Sequence, residues 1–228
     1  MKIDIKHSSE DFTSFRATKV KSLFNAGNGH SWGHTATLDI EGDDWQIGLI
    51  VGPSGSGKTS IGKSLWGGKI HNLYAGWSRN EPIVDGIAPG DELNKVTAAL
   101  SAVGLGDVPA WLRPFHVLSN GEQFRAGLAR VICENYDRIV VDEFTSVVDR
   151  QIAQIGASAF SKAWRRKKGK RIVLLSCHYD IIDWLSPDWV YDTREGVMRK
   201  KAQAVPLSSS MFGRRTAVTG NILRSIII

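Results

Sequence analysis

The stretch Gly52-Pro53-Ser54-Gly55-Ser56-Gly57-Lys58-Thr59, entered from the apolar run Ile47-Gly48-Leu49-Ile50-Val51, constrains this chain more than any other. It fits the pattern Gly-x-x-x-x-Gly-Lys-Thr. Glycines at that spacing let successive backbone N–H groups turn inward around a phosphate, and a helix that follows at once offers its positive end to the same anion. A glycine- and serine-rich surface loop would share the composition but not the setting. Here a β-branched run leads in, and Ser60 to Trp66 leads out as a short helix stopped by Gly67-Gly68. Strand, glycine loop and helix together imply a bound nucleoside triphosphate.

At 228 residues the chain suits one domain, or one domain and a tail, with room for a sizeable core. Its 42% apolar and 23% charged residues are those of an ordinary globular protein. No window approaches the roughly 18 apolar residues of a membrane span, and an N-terminus with Asp4, Glu10 and Asp11 has no signal-peptide core. A cytoplasmic protein without membrane insertion of its own is expected, so that any membrane role comes through a protein partner. Cys133 and Cys177 both sit in apolar sequence, which predicts buried reduced thiols rather than a disulfide or metal site. The net charge of +6 admits a polyanionic partner without requiring one.

Residues 2 to 45 read as β-rich, with short alternating runs at Thr18 to Phe24 and Thr35 to Ile40 and a turn at Asp43-Asp44. Phe15, Phe24 and Trp32 lie where a ring could stack on a nucleobase, with Phe24 the foremost candidate. Pro82 and Pro89 confine Ile83-Val84 to a short strand or loop. Asp91 reads as the cap of a helix carrying Leu93, Val96, Ala99-Leu100 and Val103 at helical spacing, ended by Gly104.

Three later stretches carry chemistry. In Leu118-Ser119-Asn120-Gly121-Glu122-Gln123, Ser119 or Asn120 can cap a helix running to about Glu134, which leaves a hydroxyl and free amides at a positive helix end. Arg138-Ile139-Val140-Val141-Asp142-Glu143 is a buried strand ending in two carboxylates. At the C-terminal edge of a parallel sheet, one carboxylate can hold hydrated magnesium and the other can orient an attacking water. Arg171-Ile172-Val173-Leu174-Leu175-Ser176-Cys177-His178 is a second buried strand, ending at the same edge in a histidine. A helix from about Arg150 to Arg165 separates the two, and Trp189 to Asp192 with Val197 to Arg199 read as a closing hairpin.

In this order the stretches resemble the ATP-binding-cassette ATPase family over about residues 15 to 200. GPSGSGKT is similar to its Walker A loop, LSNGE to its signature, IVVDE to its Walker B strand, SVVD to its D-loop, and His178 to its switch histidine. The resemblance implies an α/β P-loop NTPase core with a mostly parallel sheet, an N-terminal antiparallel β-subdomain and a small helical subdomain at about 91–134. Residues 1–202 would form the ATPase domain and 203–228 a tail. It further implies that ATP and Mg2+ are bound. Gly52, Pro53, Ser54, Gly55, Ser56, Gly57, Lys58, Thr59 and Ser60 would surround the phosphates, with Lys58 neutralising the β- and γ-phosphates. Thr59 and Asp142 would ligate magnesium, Glu143 would act as general base, and His178 would contact the γ-phosphate. Ser119, Gly121 and Glu122 would meet the nucleotide of a second copy in a head-to-tail dimer, with Asp149 crossing the same interface.

The chain departs from the family pattern at Glu122, where transporter cassettes usually have glutamine, and at Asn120, which replaces a glycine. No glutamine occurs between Gln46 and Gln123, so the Q-loop residue is missing, with Asp85 its first substitute and Asn80 its second. The insert before the signature is short and lacks heptads, which argues against a coiled-coil arm. These departures place a soluble, non-transport ATPase first, the ATP-binding subunit of a membrane transporter as its alternative, and a poorly hydrolysing binding switch third. The basic run of residues 165–171 fits either a helix terminus or contact with nucleic acid. The 203–228 tail, ending Ile226-Ile227-Ile228, shows neither clear helix nor paired strand.

Overall fold

The structure is a computed structural model that describes residues 1–8, 10–26 and 31–201. The 203–228 tail and the side chain of Trp32 lie outside the described residues. Six strands form one sheet in the order β4 (Ile70–His71), β5 (Arg138–Val141), β6 (Arg171–Ser176), β3 (Ile47–Val51), β7 (Trp189–Asp192), β8 (Val197–Lys200). All neighbours are parallel except β7 and β8, the predicted closing hairpin. A separate two-stranded antiparallel sheet pairs β1 (Lys2–Ser8) with β2 (Ser31–Thr37).

Period-two alternation divides the core. Leu49, Val51, Ile139, Val141, Ile172 and Leu174 face one layer, where they join Phe124, Leu128, Phe160 and Trp164 of α6 (Asn120–Cys133) and α7 (Arg150–Trp164). Ile50, Val140, Val173, Leu175 and Tyr191 face the other. There they meet Ile61 and Leu65, from α2 (Lys58–Lys63) and the turn after it, and Ile3, Ile5, Ala36 and Leu38 of the small sheet. Burial on both faces explains why β3, β5 and β6 read as continuous apolar runs. Beside the sheet, α4 (Leu93–Ala102) packs on α6 and α7, with the one-turn helices α3 (Ile83–Gly86) and α5 (Val108–Trp111) nearby in sequence.

Four local expectations change. Thr18 to Phe24 is not a strand but part of α1 (Phe15–Phe24). Ser14 starts a helix there by accepting the Ala17 N–H at 3.3 Å. Ile83-Val84 is helical rather than extended, because the Pro82 carbonyl collects the N–H groups of Asp85 and Gly86. Glu92, not Asp91, stands at the start of α4, and Asp91 pairs instead with Lys95. Cys133 is buried as expected, with burial pushing its thiol pKa up, but Cys177 is exposed because it follows the last residue of β6.

The basic run is largely occupied by the fold. Arg165 bonds Asp188 and the Ser186 carbonyl, and Lys167 caps the end of α6 through the carbonyls of Ile132 and Glu134. Lys170 pairs with Asp137, and Arg171 bonds the Asp43 carbonyl and lies over Trp45. Among the described residues, only the side chains of Arg166 and Lys168 in this run lack such a partner, which removes the support for a nucleic-acid surface there. No helix among the described residues is long and apolar enough to cross a membrane.

Candidate functional site

The sheet order puts β3 between β6 and β7, so the phosphate loop leaves the middle of the sheet at its C-terminal edge. The loop is wound by Gly55 at φ 77° and Gly57 at φ 88°, and α2 begins at Lys58. Gly52 sits at φ 150°, and a Cβ on it would overlap the Thr193 hydroxyl. That hydroxyl donates to the Val51 carbonyl at 3.1 Å and lies 2.5 Å from Ser56 Oγ. Its single proton is thereby used, so Ser56 donates to it. Thr193, just past β7, ties the two ends of the loop together, and no motif in the sequence points to it.

A cleft of about 450 Å³ opens beside the loop, lined by Ser54, Gly55, Gly57, Lys58, Thr59 and Ser60 on one side. Asp142, Glu143, Ser146, Ser176 and Cys177 line the other. Lys58 Nζ bridges the loop, donating to the carbonyls of Gly52 at 2.9 Å and Pro53 at 2.7 Å. Burial lowers its pKa against the opposing pull of Cys177 and Asp142. Thr59 Oγ1 donates to Asp142 Oδ2 at 2.7 Å, across 83 residues of sequence. A hydroxyl and a carboxylate oxygen this close, at the mouth of a phosphate loop, form a donor set that suits a hard cation whose other ligands are phosphate and water. No cluster of three or more His, Cys, Asp or Glu among the described residues offers a protein-only metal cage.

Past β5 the backbone turns sharply. Glu143 at φ 53° and Thr145 at φ 67° are left-handed, a strained geometry for residues with side chains. The Asp142 carboxylate accepts the Glu143 N–H at 2.8 Å, and the Phe144 N–H donates to the Leu175 carbonyl at 3.0 Å. Ser176 completes the stitch: its hydroxyl donates to the Phe144 carbonyl at 3.0 Å and accepts the His178 N–H at 3.1 Å. The turns after β5 and β6 are thus one unit, which carries Glu143 and His178 together. His178 lies 3.5 Å from the Thr145 hydroxyl, and its pKa is lowered by burial and by Arg150.

The remaining expected residues lie elsewhere. Ser119, Gly121 and Glu122 begin α6 in a complete capping box and do not line the cleft of their own chain. Asp149 caps α7 by accepting the N–H groups of Gln151 and Ile152. Phe15 and Phe24 are 81% and 76% exposed on α1, and neither lines the cleft. Asp85 and Asn80 are exposed and also outside it. The register of β4 and β5 pairs His71 with Val141, and the Asp142 N–H donates to the His71 carbonyl at 3.1 Å. This contact was hidden from sequence reading because a two-residue strand has too little pattern to see.

No family model matches the chain. It is 29% identical over 139 residues to a hemin import ATP-binding protein of Bartonella henselae, covering 45% of this chain and 52% of that one. It is 29% identical over 132 residues to a zinc import ATP-binding protein of Pseudomonas aeruginosa, covering 49% and 48%. The chain spans about half the length of the curated relatives it matches. In fold it matches a dimeric ATP-binding cassette in a post-hydrolysis state bound to ADP and Pi, with TM-score 0.59, 15% identity, and 75% and 92% of the two chains covered. The fold is that of an ATP-binding-cassette nucleotide-binding domain. A bacterial Atm1-family exporter with ATP bound is also similar, at TM-score 0.54 and 19% identity over 77% of this chain and 36% of that one. The cassette fold accounts for the mixed architecture here, a mostly parallel sheet beside a small antiparallel one.

Proposed function

We propose that this cassette binds and hydrolyses ATP as a nucleotide-closed dimer and drives a membrane transport partner from its cytoplasmic side. The observation that carries the catalytic part is the single cleft in which Lys58, Thr59, Asp142 and Glu143 converge from the loop after β3 and the turn after β5. Backbone N–H groups from Ser54 to Thr59 cradle the phosphates, and Lys58 Nζ exchanges its carbonyl partners for phosphate oxygens. Thr59 and Asp142 are the residues that would hold magnesium, which when bound neutralises phosphate charge. Glu143 takes the proton of a water whose oxygen attacks the γ-phosphorus as the bond to ADP breaks, and His178 steadies the γ-phosphate.

Ser119, Gly121 and Glu122 lie outside their own chain's cleft and serve the cleft of a second copy, with Asp149 at the same interface. A dimeric cassette among the structural neighbours supports this arrangement. Both curated relatives are named as import ATP-binding proteins, which favours the transporter alternative over the soluble, non-transport reading. One departure that had supported that reading also loses force, because Glu122 is engaged in a capping box that glutamine can close as well.

The deciding experiment is Glu143→Gln in the full chain, with ATP turnover and solution mass measured at saturating ATP and magnesium. The expected result is lost turnover and a trapped dimer. A variant that stays monomeric overturns the composite site, and a wild-type chain that binds ATP without turnover leaves a binding switch in its place.

A further inference from the structure

The His71 carbonyl at the end of β4 accepts the Asp142 N–H at 3.1 Å, and the segment that follows β4 carries Tyr74. The segment is firmly held. The Tyr74 N–H donates to Asn72 Oδ1 at 2.8 Å, and Trp77 Nε1 donates to the Leu73 carbonyl at 2.9 Å. Arg130 of α6, only 6% exposed, donates to the carbonyls of Ala75 at 2.7 Å and Asn72 at 3.4 Å, with its guanidinium 4.2 Å from the Trp77 ring. Gly127 of α6 lies so close that a Cβ there would come within 2.8 Å of Leu73. The Tyr74 ring meets Phe115 edge-on at 6.4 Å.

In this rigid setting the Tyr74 hydroxyl is buried and has no hydrogen-bond partner among the described residues. Tyr179, by contrast, donates to Asp192 at 3.0 Å. A buried hydroxyl without a partner is uncommon in a folded protein and needs an explanation. Burial, and after it the carboxylate of Glu143, push the Tyr74 phenol up to about 12, so it remains protonated and can only be improved by donating.

We propose that Tyr74 is a positioning residue for the reaction, its hydroxyl donating a hydrogen bond to the Glu143 carboxylate in the nucleotide-loaded site. The Arg130 clamp on the carbonyls of Asn72 and Ala75 holds the segment that bears the donor still. The bond directs one carboxylate oxygen and leaves the other to receive the proton of the attacking water. This assignment rests on Glu143 being the base.

The test is Tyr74→Phe, which removes the hydroxyl and keeps the ring. The expected result is kcat lower by about ten-fold, as for loss of a hydrogen bond to a charged group, with KM for ATP and thermal midpoint unchanged. In a Glu143→Gln background the same substitution should change residual turnover by less than about two-fold. Wild-type kcat in Tyr74→Phe, or losses that multiply in the double variant, would overturn the proposal. If Glu143→Gln itself turns over like wild type, it is Glu143's role as base that fails. The Tyr74 Cζ resonance of tyrosine-labelled protein, identified by its loss in Tyr74→Phe, gives a readout free of turnover. It should move on Glu143→Gln with ATP bound, and an unmoved resonance rejects the contact even in a chain that hydrolyses nothing.

Discussion

Ser56 Oγ and Thr193 Oγ1 lie 2.5 Å apart across 137 residues of sequence, with Ser56 donating to Thr193 and the Thr193 hydroxyl donating in turn to the Val51 carbonyl. The phosphate loop is thus tied shut from β7 before any ligand arrives. Thr193→Val keeps the shape and removes both bonds. It should weaken ATP binding by about 1 kcal/mol, or roughly five-fold in Kd, with little change in thermal midpoint. Titration calorimetry of the variant checks this, and unchanged affinity would mean the loop is ordered without its tie.

Glu122 accepts from both the N–H and the hydroxyl of Ser119 at 2.7 Å, and these bonds hold its carboxyl below the usual carboxylate range. Glu122→Ala should cost about 1 kcal/mol of stability, measured by urea unfolding, whereas Glu122→Gln should recover most of it. A lowered folded pKa also sets the sign with pH. The contribution of Glu122 is present above its unfolded pKa and is lost as pH falls through the folded one. Equal stability of the alanine and glutamine variants would count against the capping role.

His71 is held neutral by burial and by Arg130, which place its pKa below the ordinary 6.5, and His178 shifts the same way. For both, the unfolded chain binds more protons in the window just below 6.5. Stability therefore falls as pH drops from there toward the folded values. The urea midpoint should be lower at about pH 5.5 than at about pH 7.5, and His71→Gln should narrow the gap. A gap of the same width in the variant would assign the dependence to other groups.

Much of the site was legible because its signals are local. The loop at Gly52 to Thr59, the cap at Ser119 and the strands ending at Asp142 and Ser176 each depend on residues within about one turn or one strand of each other. The same local reading misassigned Thr18 to Phe24, where a Ser14 cap starts a helix instead, and placed Cys177 in the core when it opens on the cleft. It read the basic run as a helix terminus or a nucleic-acid contact, but not that four of its cations are bound by carbonyls and carboxylates distant in sequence.

By itself the sequence determined that this chain holds a glycine-rich loop between strand and helix, a capped helix at Ser119 and adjacent carboxylates at a strand end, since hydrogen-bond capping and side-chain alternation act over a few residues. Only the tertiary structure decided which distant groups complete them. Thr193 reaches the loop, His71 reaches Asp142 and Arg130 reaches the segment bearing Tyr74 because sheet order and helix packing bring them there. Those contacts are set by strand register and close packing, which depend on the whole chain at once and leave no periodic trace at any one position.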